Sequence, residues 1–596
     1  MYRTLFSLFL LCGSFLFLNQ GAQAGTPPNI LLIQVDDLGF DDLGINGHPV
    51  AHTPNIDALA GRSVQFDNFM VSSVCAPTRA SLLTGREAWK TGVSAMHGGN
   101  DFLHLDEVTV ADVLQKNGYA TGMWGKWHAG KTDGYYPWDR GFDEGYYAKL
   151  YKHYPSQGIF NNKSVKHDKW SDEQIVDYAI DFIDRQPKDQ PFFAYVSSLT
   201  CHGHWDAPEA YKKIYRNGER TEGYVTLLAM IHQFDDQMGR LLNFLEERHL
   251  AENTIVMFMS DNGPIKTKEN EQEWAERNHH KYLGNKARNW QNGIKSPLYV
   301  SWKNHFKPER VQRLVTVTDL FPTILDLAQI QSPVETDGRS ILPYLQGDVT
   351  SLADKKAVFS YWTPVGNERQ HEPLTPEEIK RLPFEAQRFA LFHENHKLLY
   401  RPVSVPESPQ AKDEIVLVDL IEDPLERKNL AATQPEMVSS MMEELRQWFE
   451  EVIHSDHPFS RPTIQIGLYG QNFNKFNAYT PVKTEGFVNA AHALHLPSKA
   501  EGSASWYLEV HEAGKYQLSG EFNGESLKKV KLKISCNGQS QVISLNSKDK
   551  YIDLGQFKLK KGKQELKIEV VSLPSNMENN DITAKTFRLI KNKHAS

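Results

Sequence analysis

Cys75 lies in Ser72-Ser73-Val74-Cys75-Ala76-Pro77-Thr78-Arg79-Ala80-Ser81-Leu82-Leu83-Thr84-Gly85-Arg86, a run whose residue types suit a nucleophile at a helix start. Pro77 fits the first helical position, where a missing N–H costs nothing and the fixed φ is already helical. Gly85 fits the left-handed residue that closes a short helix. A side chain just ahead of that helix, on a surface-facing turn, meets unpaired backbone N–H groups and the positive end of the dipole. Arg79 follows about one turn later. The run therefore offers a sulfur nucleophile, a cation and a seat for an oxyanion. A buried cysteine in an ordinary capping turn would use the same residue types.

Four apolar stretches end in polar residues able to complete such a site. Residues 29–35 read as a buried parallel strand running into Asp36 and Asp37. Adjacent strand residues face opposite ways, so two acids serving one site must lie past the strand end. A hard cation would neutralise them there; a solvent-facing acidic turn is the alternative. Residues 119–124 form a second strand, after a helix-like stretch at 106–117, and lead to Lys126 and His128. Residues 192–197 precede Cys201-His202-Gly203-His204, and residues 254–259 precede Asp261 and Asn262. Functional residues at the carboxyl ends of strands are the mark of an open α/β sheet.

Cys-x-Pro-x-Arg followed by Ala-Ser-Leu-Leu-Thr-Gly-Arg resembles the motif of the type I sulfatases, in the alkaline-phosphatase-like superfamily. The resemblance implies an α/β fold: a mixed sheet sandwiched by helices, then a small C-terminal α+β subdomain. It implies that a maturation enzyme converts Cys75 to formylglycine (3-oxoalanine), whose hydrate attacks sulfur. The family's metal ligands correspond to Asp36, Asp37, Asp261 and Asn262, with residue 75 also at the ion. Oxygen donors favour Ca²⁺ or Mg²⁺ over zinc. Arg79, Lys126, His128, His202 and Lys286 match the remaining catalytic positions. His128 is then the base that expels sulfate, and His202 the acid for the departing oxygen. Two segments depart from the family pattern. Cys201 and His204 replace prolines around His202, and Gln291, Asn292 and Lys295 differ in the segment carrying Lys286. The implied substrate is a sulfated carbohydrate. His97, His104, His204 and Arg288, with Trp205 and Trp274, are candidates to line its sugar subsites. A phosphate or phosphonate ester hydrolase, and a non-catalytic polysaccharide-binding protein with unmodified Cys75, are the competing readings.

The remaining chain sets the domain plan. At 596 residues it is too long for a single core. Residues 1–24 have a basic start, a short apolar run and a small-residue end, the pattern of a secretory signal peptide. The apolar run is short for a membrane span, and Leu11 before Cys12 argues against a lipid anchor. The mature chain is expected to start at Gly25 and to be exported, periplasmic or secreted. Cys75, Cys201 and Cys536 then remain, and no disulfide is expected. Residues 25–345 form the expected catalytic domain and 346–457 the subdomain, with 346–411 charged and loop-rich. Helical spacing of Met441, Leu445, Trp448, Phe449 and Val452 follows a strand at 415–420. Residues 458–596 read as an appended all-β sandwich. Its last part, residues 526–596, carries 15 Lys/Arg against 6 Asp/Glu, although the whole chain has a net charge of −8. It would hold an anionic polysaccharide or act as a stabilising cap, and is expected to lie apart from the chemistry. The chain has no repeats, nucleotide-binding glycine loop or nucleic-acid motif; oligomeric state stays open.

Overall fold

The computed structural model describes residues 27–361, 363–364, 371–406, 408, 412–498, 501–524, 527–545, 549–574 and 582–592. The expected signal peptide, and Cys12 within it, lie outside these residues. The largest unit is built on a ten-stranded mixed sheet. Its centre holds β1 (Asn29–Val35), β2 (Ala120–Gly125), β3 (Phe192–Ser197) and β4 (Thr254–Ser260). These strands are apolar throughout because both faces are covered. Ile30, Leu32 and Met257 face one buried cluster, while Leu31, Ile33 and Phe258 face another. Helices α1 (Cys75–Thr84) and α4 (Leu320–Leu327) cover the first face, and α2 (Ser171–Asp184) and α3 (Glu222–Glu247) the second.

Register is what makes a site. β1 pairs parallel with β3 and with β4, and β2 pairs parallel with β3. Gln34 and Gly125 both sit opposite Ser197, and Val35 sits opposite Ser260. The residues that follow, at 36–37, 126–128, 198–204 and 261–262, therefore leave the sheet at one edge.

Helix α1 differs from its sequence reading in one detail. It begins at Cys75, with the extended Val74 as its N-cap, so Pro77 is its third residue. The third N–H of a helix also lacks an intrahelical acceptor, so proline is tolerated there as well. Gly85 closes the helix at φ 69°, and a Cβ there would come within 2.9 Å of Phe321. Cys75 itself is not on a surface-facing turn: it is fully buried.

The stretch expected to be loop-rich contains three of the four strands of a small antiparallel sheet. These are Lys356–Ser360, Phe389–His393 and His396–Tyr400, followed by Ile415–Asp419. Helix α5 (Pro435–Ile453) packs Met441, Leu445, Phe449 and Val452 against that sheet, with Trp448 at the margin. Two six-stranded sheets then enclose a separate core containing Trp506, Phe476 and Phe587. This all-β unit is joined tightly to the catalytic unit. Thr132 donates to the Lys475 carbonyl (2.9 Å), the Thr463 N–H donates to the Tyr135 hydroxyl (3.0 Å), and Arg461 donates to the Gly98 carbonyl. Cys75, Cys201 and Cys536 are free thiols. Among the described residues, no helix is long and apolar enough to cross a membrane.

Candidate active site

The strand ends deliver three carboxylates and Lys126 to one buried point, where Arg79 from α1 and Lys286 from a loop join them. Arg79, on the first turns of α1, places Nε and Nη2 at 3.0 and 2.8 Å from Asp261 Oδ2. Its Nη1 donates to the Lys126 carbonyl (2.8 Å) and to Ser197 Oγ (2.5 Å). Lys126 Nζ donates to Asp36 Oδ2 at 2.7 Å, and Lys286 Nζ to Asp37 Oδ1 at 2.5 Å. Asn262 Nδ2 also donates to Asp37 Oδ1, at 2.8 Å. Seven of these eight residues are entirely shut from solvent, and Lys286 is 8 % exposed. Unpaired charges are not tolerated at such depth, which accounts for the complete pairing.

Three oxygens break the pattern. Asp36 Oδ1, Asp37 Oδ2 and Asn262 Oδ1 are buried and have no hydrogen-bond partner among the described residues. Buried acceptors are normally satisfied, so three together call for a ligand. Asp36, Asp261 and Cys75 Sγ lie within 4.8 Å of one another, as do Asp36, Asp37 and His202. An all-oxygen carboxylate and amide set fits a hard divalent cation. The electrostatics agree. Burial, together with Asp261 and Asp37, pushes Asp36 up to about 8 despite Lys126. Burial also acts on Asp37, but Lys286, His202 and Lys126 overturn it and hold this carboxyl well below the usual range.

The histidines are neutral. His128 sits in the left-handed region (φ 59°), and its Nε2–H donates to the Met96 carbonyl at 2.7 Å. That fixes the tautomer and leaves Nδ1, buried and without a partner among the described residues, with its lone pair available. Burial, then Lys126 and His97, hold its pKa well below 6.5. His202 Nδ1–H donates to the Gly203 carbonyl at 2.6 Å, and burial followed by Lys126 lowers its pKa to about 3. His202 reaches the carboxylates, while His204 is exposed beyond it.

The candidate sugar-contacting residues separate. His97 stands 5.9 Å from the His128 ring. Arg288 is half-buried on the loop whose Ala287 N–H donates to the Ser73 carbonyl. His104 instead stacks on His457 at 3.7 Å and pairs with Asp106. Trp274 is buried beside Lys266 and Arg277, and Trp205 donates to the Cys201 carbonyl, so both serve packing. Sequence reasoning missed Ser197, Asp101, Lys131 and Tyr151. Asp101 Oδ2 lies 3.8 Å from His128 Nε2 and 3.4 Å from Lys131 Nζ. Only Ser197, the last residue of a recognised strand, carried a positional signal.

A mixed sheet between helices, with charged and polar residues gathered at its strand ends, is the alkaline-phosphatase-like fold. The family model described as Sulfatase matches residues 28–330, just over half of the chain, and the protein belongs to that family of sulfuric ester hydrolases. Residues 278–397 match the model for N-sulphoglucosamine sulphohydrolase, C-terminal, and residues 474–580 match a domain of unknown function. The chain is 30 % identical to human arylsulfatase A over 479 residues, covering 72 % of this chain and 88 % of that one. It is 29 % identical to human N-acetylgalactosamine-6-sulfatase over 390 residues, covering 57 % and 73 %. The solved structure of Ps i-CgsB with k-i-k-neocarrahexaose superposes with a TM-score of 0.62 at 24 % identity, covering 73 % and 95 %.

Proposed function

We propose that this protein hydrolyses sulfate esters on a carbohydrate, an oligosaccharide or polysaccharide, with residue 75 as the nucleophilic position. The observation that carries the reading is the convergence of Cys75, three ion-paired carboxylates and three unpartnered buried oxygens at one strand edge. The names of the N-acetylgalactosamine sulfatase and of the carrahexaose complex favour a sugar substrate. Formylglycine made from Cys75 by a maturation enzyme would supply a gem-diol nucleophile in place of the thiol. A divalent cation, Ca²⁺ in preference to Mg²⁺ for an exported protein, would be held by Asp36, Asp37, Asp261 and Asn262 next to residue 75, and would supply Lewis acidity.

The chain's own groups do the rest. With the ion in place and all three carboxylates ionised, three carboxylates and three cations cancel and the ion's own charge would leave the pocket net positive, drawing in a sulfate ester. Lys126 and Lys286 hold sulfuryl oxygens as charge builds there. Arg79 fixes the orientation of Asp261. His128 offers its free Nδ1 as the base of the pocket. His202 is neutral in the free protein, and an anionic group entering beside it raises its proton affinity. It then protonates the departing sugar oxygen through Nε2.

The test compares sulfate and phosphate release from matched aryl esters by the full chain, co-produced with a maturation enzyme, alongside Cys75→Ala. Sulfate release that Cys75→Ala abolishes is expected. Faster phosphate release would assign the chain to phosphate or phosphonate esters. Polysaccharide binding without turnover, with mass spectrometry showing only an unmodified cysteine, would make it a binding protein.

A further inference from the structure

We propose that Tyr151, His97 and His492 form the sugar-binding rim of this cleft, so that the appended all-β unit is part of the active site. The inference rests on the carbohydrate reading above. It starts from a line of rings that continues outward from the buried pocket. The Tyr151 ring lies 4.9 Å from His202, and its hydroxyl is 3.4 Å from His97 Nε2. His97 stands 5.9 Å from His128 and 4.8 Å from His492, and Tyr479 follows at 6.2 Å from His492. The two catalytic histidines are thus spanned by Tyr151 and His97, and the line ends on residues of the sandwich.

The sandwich also fixes the shape of this rim. Asn489 Nδ2 lies 2.8 Å from the Gly98 carbonyl, 2.6 Å from that of His371 and 3.1 Å from that of Tyr479. Arg461 donates to the carbonyls of Gly98 and His371 as well. The Gly98 N–H in turn donates to the Ala491 carbonyl at 3.3 Å, one residue before His492. Gly98 has φ 70° and packs so closely that a Cβ there would collide with the His371 ring. His97 and His492 are therefore carried by two loops held to each other by backbone contacts. A tethering module hung on a linker would not make such contacts.

The chemistry of the rim narrows the ligand. Tyr151 and His492 are exposed. Burial and Lys131 depress both imidazoles, His97 to about 2, so each ring is uncharged at neutral pH. A neutral imidazole offers one donor, one acceptor and a flat face. That combination suits hydroxyl or acetamido groups and the C–H face of a sugar, and gives little to a second sulfate. The sugar unit fitting here carries its sulfate toward residue 75 and uncharged groups toward His492.

The experiment measures kcat and KM of the full chain on a small aryl sulfate and on singly sulfated oligosaccharides. His492→Ala and Tyr151→Ala are compared with the parent and with His454→Ala, an exposed control just past the end of α5. The ratio of oligosaccharide to aryl kcat/KM is expected to fall about tenfold in each rim variant, the worth of one lost ~1.4 kcal/mol contact. The fall should appear mainly in KM, with an unchanged melting temperature. An unchanged ratio, or equal losses on both substrates, overturns the proposal. Aryl turnover by a parent that cleaves no sulfated saccharide overturns the carbohydrate reading, and the rim with it.

Discussion

Replacing Arg79 by leucine removes one side chain and strands one charge, so its cost follows from the contacts left behind. Arg79 donates twice to Asp261 Oδ2, and once each to the Lys126 carbonyl and Ser197 Oγ. Ser197 Oγ also donates to the Lys126 carbonyl at 2.7 Å, so that carbonyl keeps a donor in the variant. The main loss is the close pairing of a carboxylate at a point with no solvent access, which leaves Asp261 Oδ2 with only Lys126 Nζ at 3.8 Å as a cationic neighbour. Breaking a buried ion pair from one side costs about 3–5 kcal/mol. Arg79→Leu is expected to lose that much in urea unfolding, read by tryptophan fluorescence. The measurement is made in chelator, so that no added cation can replace the guanidinium at Asp261. Adding Asp261→Asn removes the stranded charge, and the double variant should recover roughly 2 kcal/mol relative to Arg79→Leu alone. A single variant within about 1 kcal/mol of the parent, or a double variant with no recovery, would refute the reasoning.

Two other perturbations read different parts of the molecule. His48 Nδ1 accepts from the N–H groups of Val50 and Ala51 at 3.1 and 2.8 Å, and burial, then His279 and Arg277, lower its pKa to about 3. A depressed folded pKa contributes stability that is complete above about 6.5 and is lost as pH falls toward 3, at ~1.4 kcal/mol per unit. His48→Asn keeps an acceptor but cannot titrate, so its stability between pH 6.5 and 5 should fall by about 2 kcal/mol less than the parent's; parallel curves would rule this out. Exhaustive chelation should abolish sulfate release and Ca²⁺ should restore it, with one ion per chain lost in Asp36→Asn; stoichiometric zinc, or full activity in chelator, would remove the oxygen-ligand assignment.

The central sheet was legible because each strand is a short apolar run with a polar residue at its end. Parallel register does the rest, bringing residues 36–37, 126–128, 202 and 261–262 together without any local sequence signal linking them. The small sheet was hidden for the opposite reason. Phe389–His393 and His396–Tyr400 are joined by Glu394-Asn395, with Glu394 at φ 50°, and no glycine marks the turn. Charged and proline-rich flanks made that region read as loop. Of the rim, His97 was a candidate from the sequence, while Tyr151 and His492 carried no signal. The rim's members at 97, 151, 371 and 492 come from four loops, and only packing of the sandwich against the catalytic unit juxtaposes them.

The burial of Cys75 bears on what kind of nucleophile this pocket can use. A cysteine acts as a thiolate, and sites that exploit it lower its pKa and leave it partly exposed. Here burial raises the thiol's pKa, and Lys126 and Lys286 only partly offset it, while Asp261 and Asp36 push it further up. In the ion-free pocket the two lysines pair with Asp36 and Asp37 at 2.7 and 2.5 Å, so their help to a sulfur anion is shared with those carboxylates and does not outweigh burial. The helix start beneath Cys75 supplies favourable dipole, yet the carboxylates of Asp36 and Asp261 face it. An unmodified Cys75 is therefore a neutral thiol at physiological pH. The proposed formylglycine hydrate would resolve the conflict, because it needs no thiolate and the same carboxylates would hold the cation that supplies Lewis acidity. The features that disqualify the thiol, burial and neighbouring acids, are those that a cation-binding oxygen nucleophile requires.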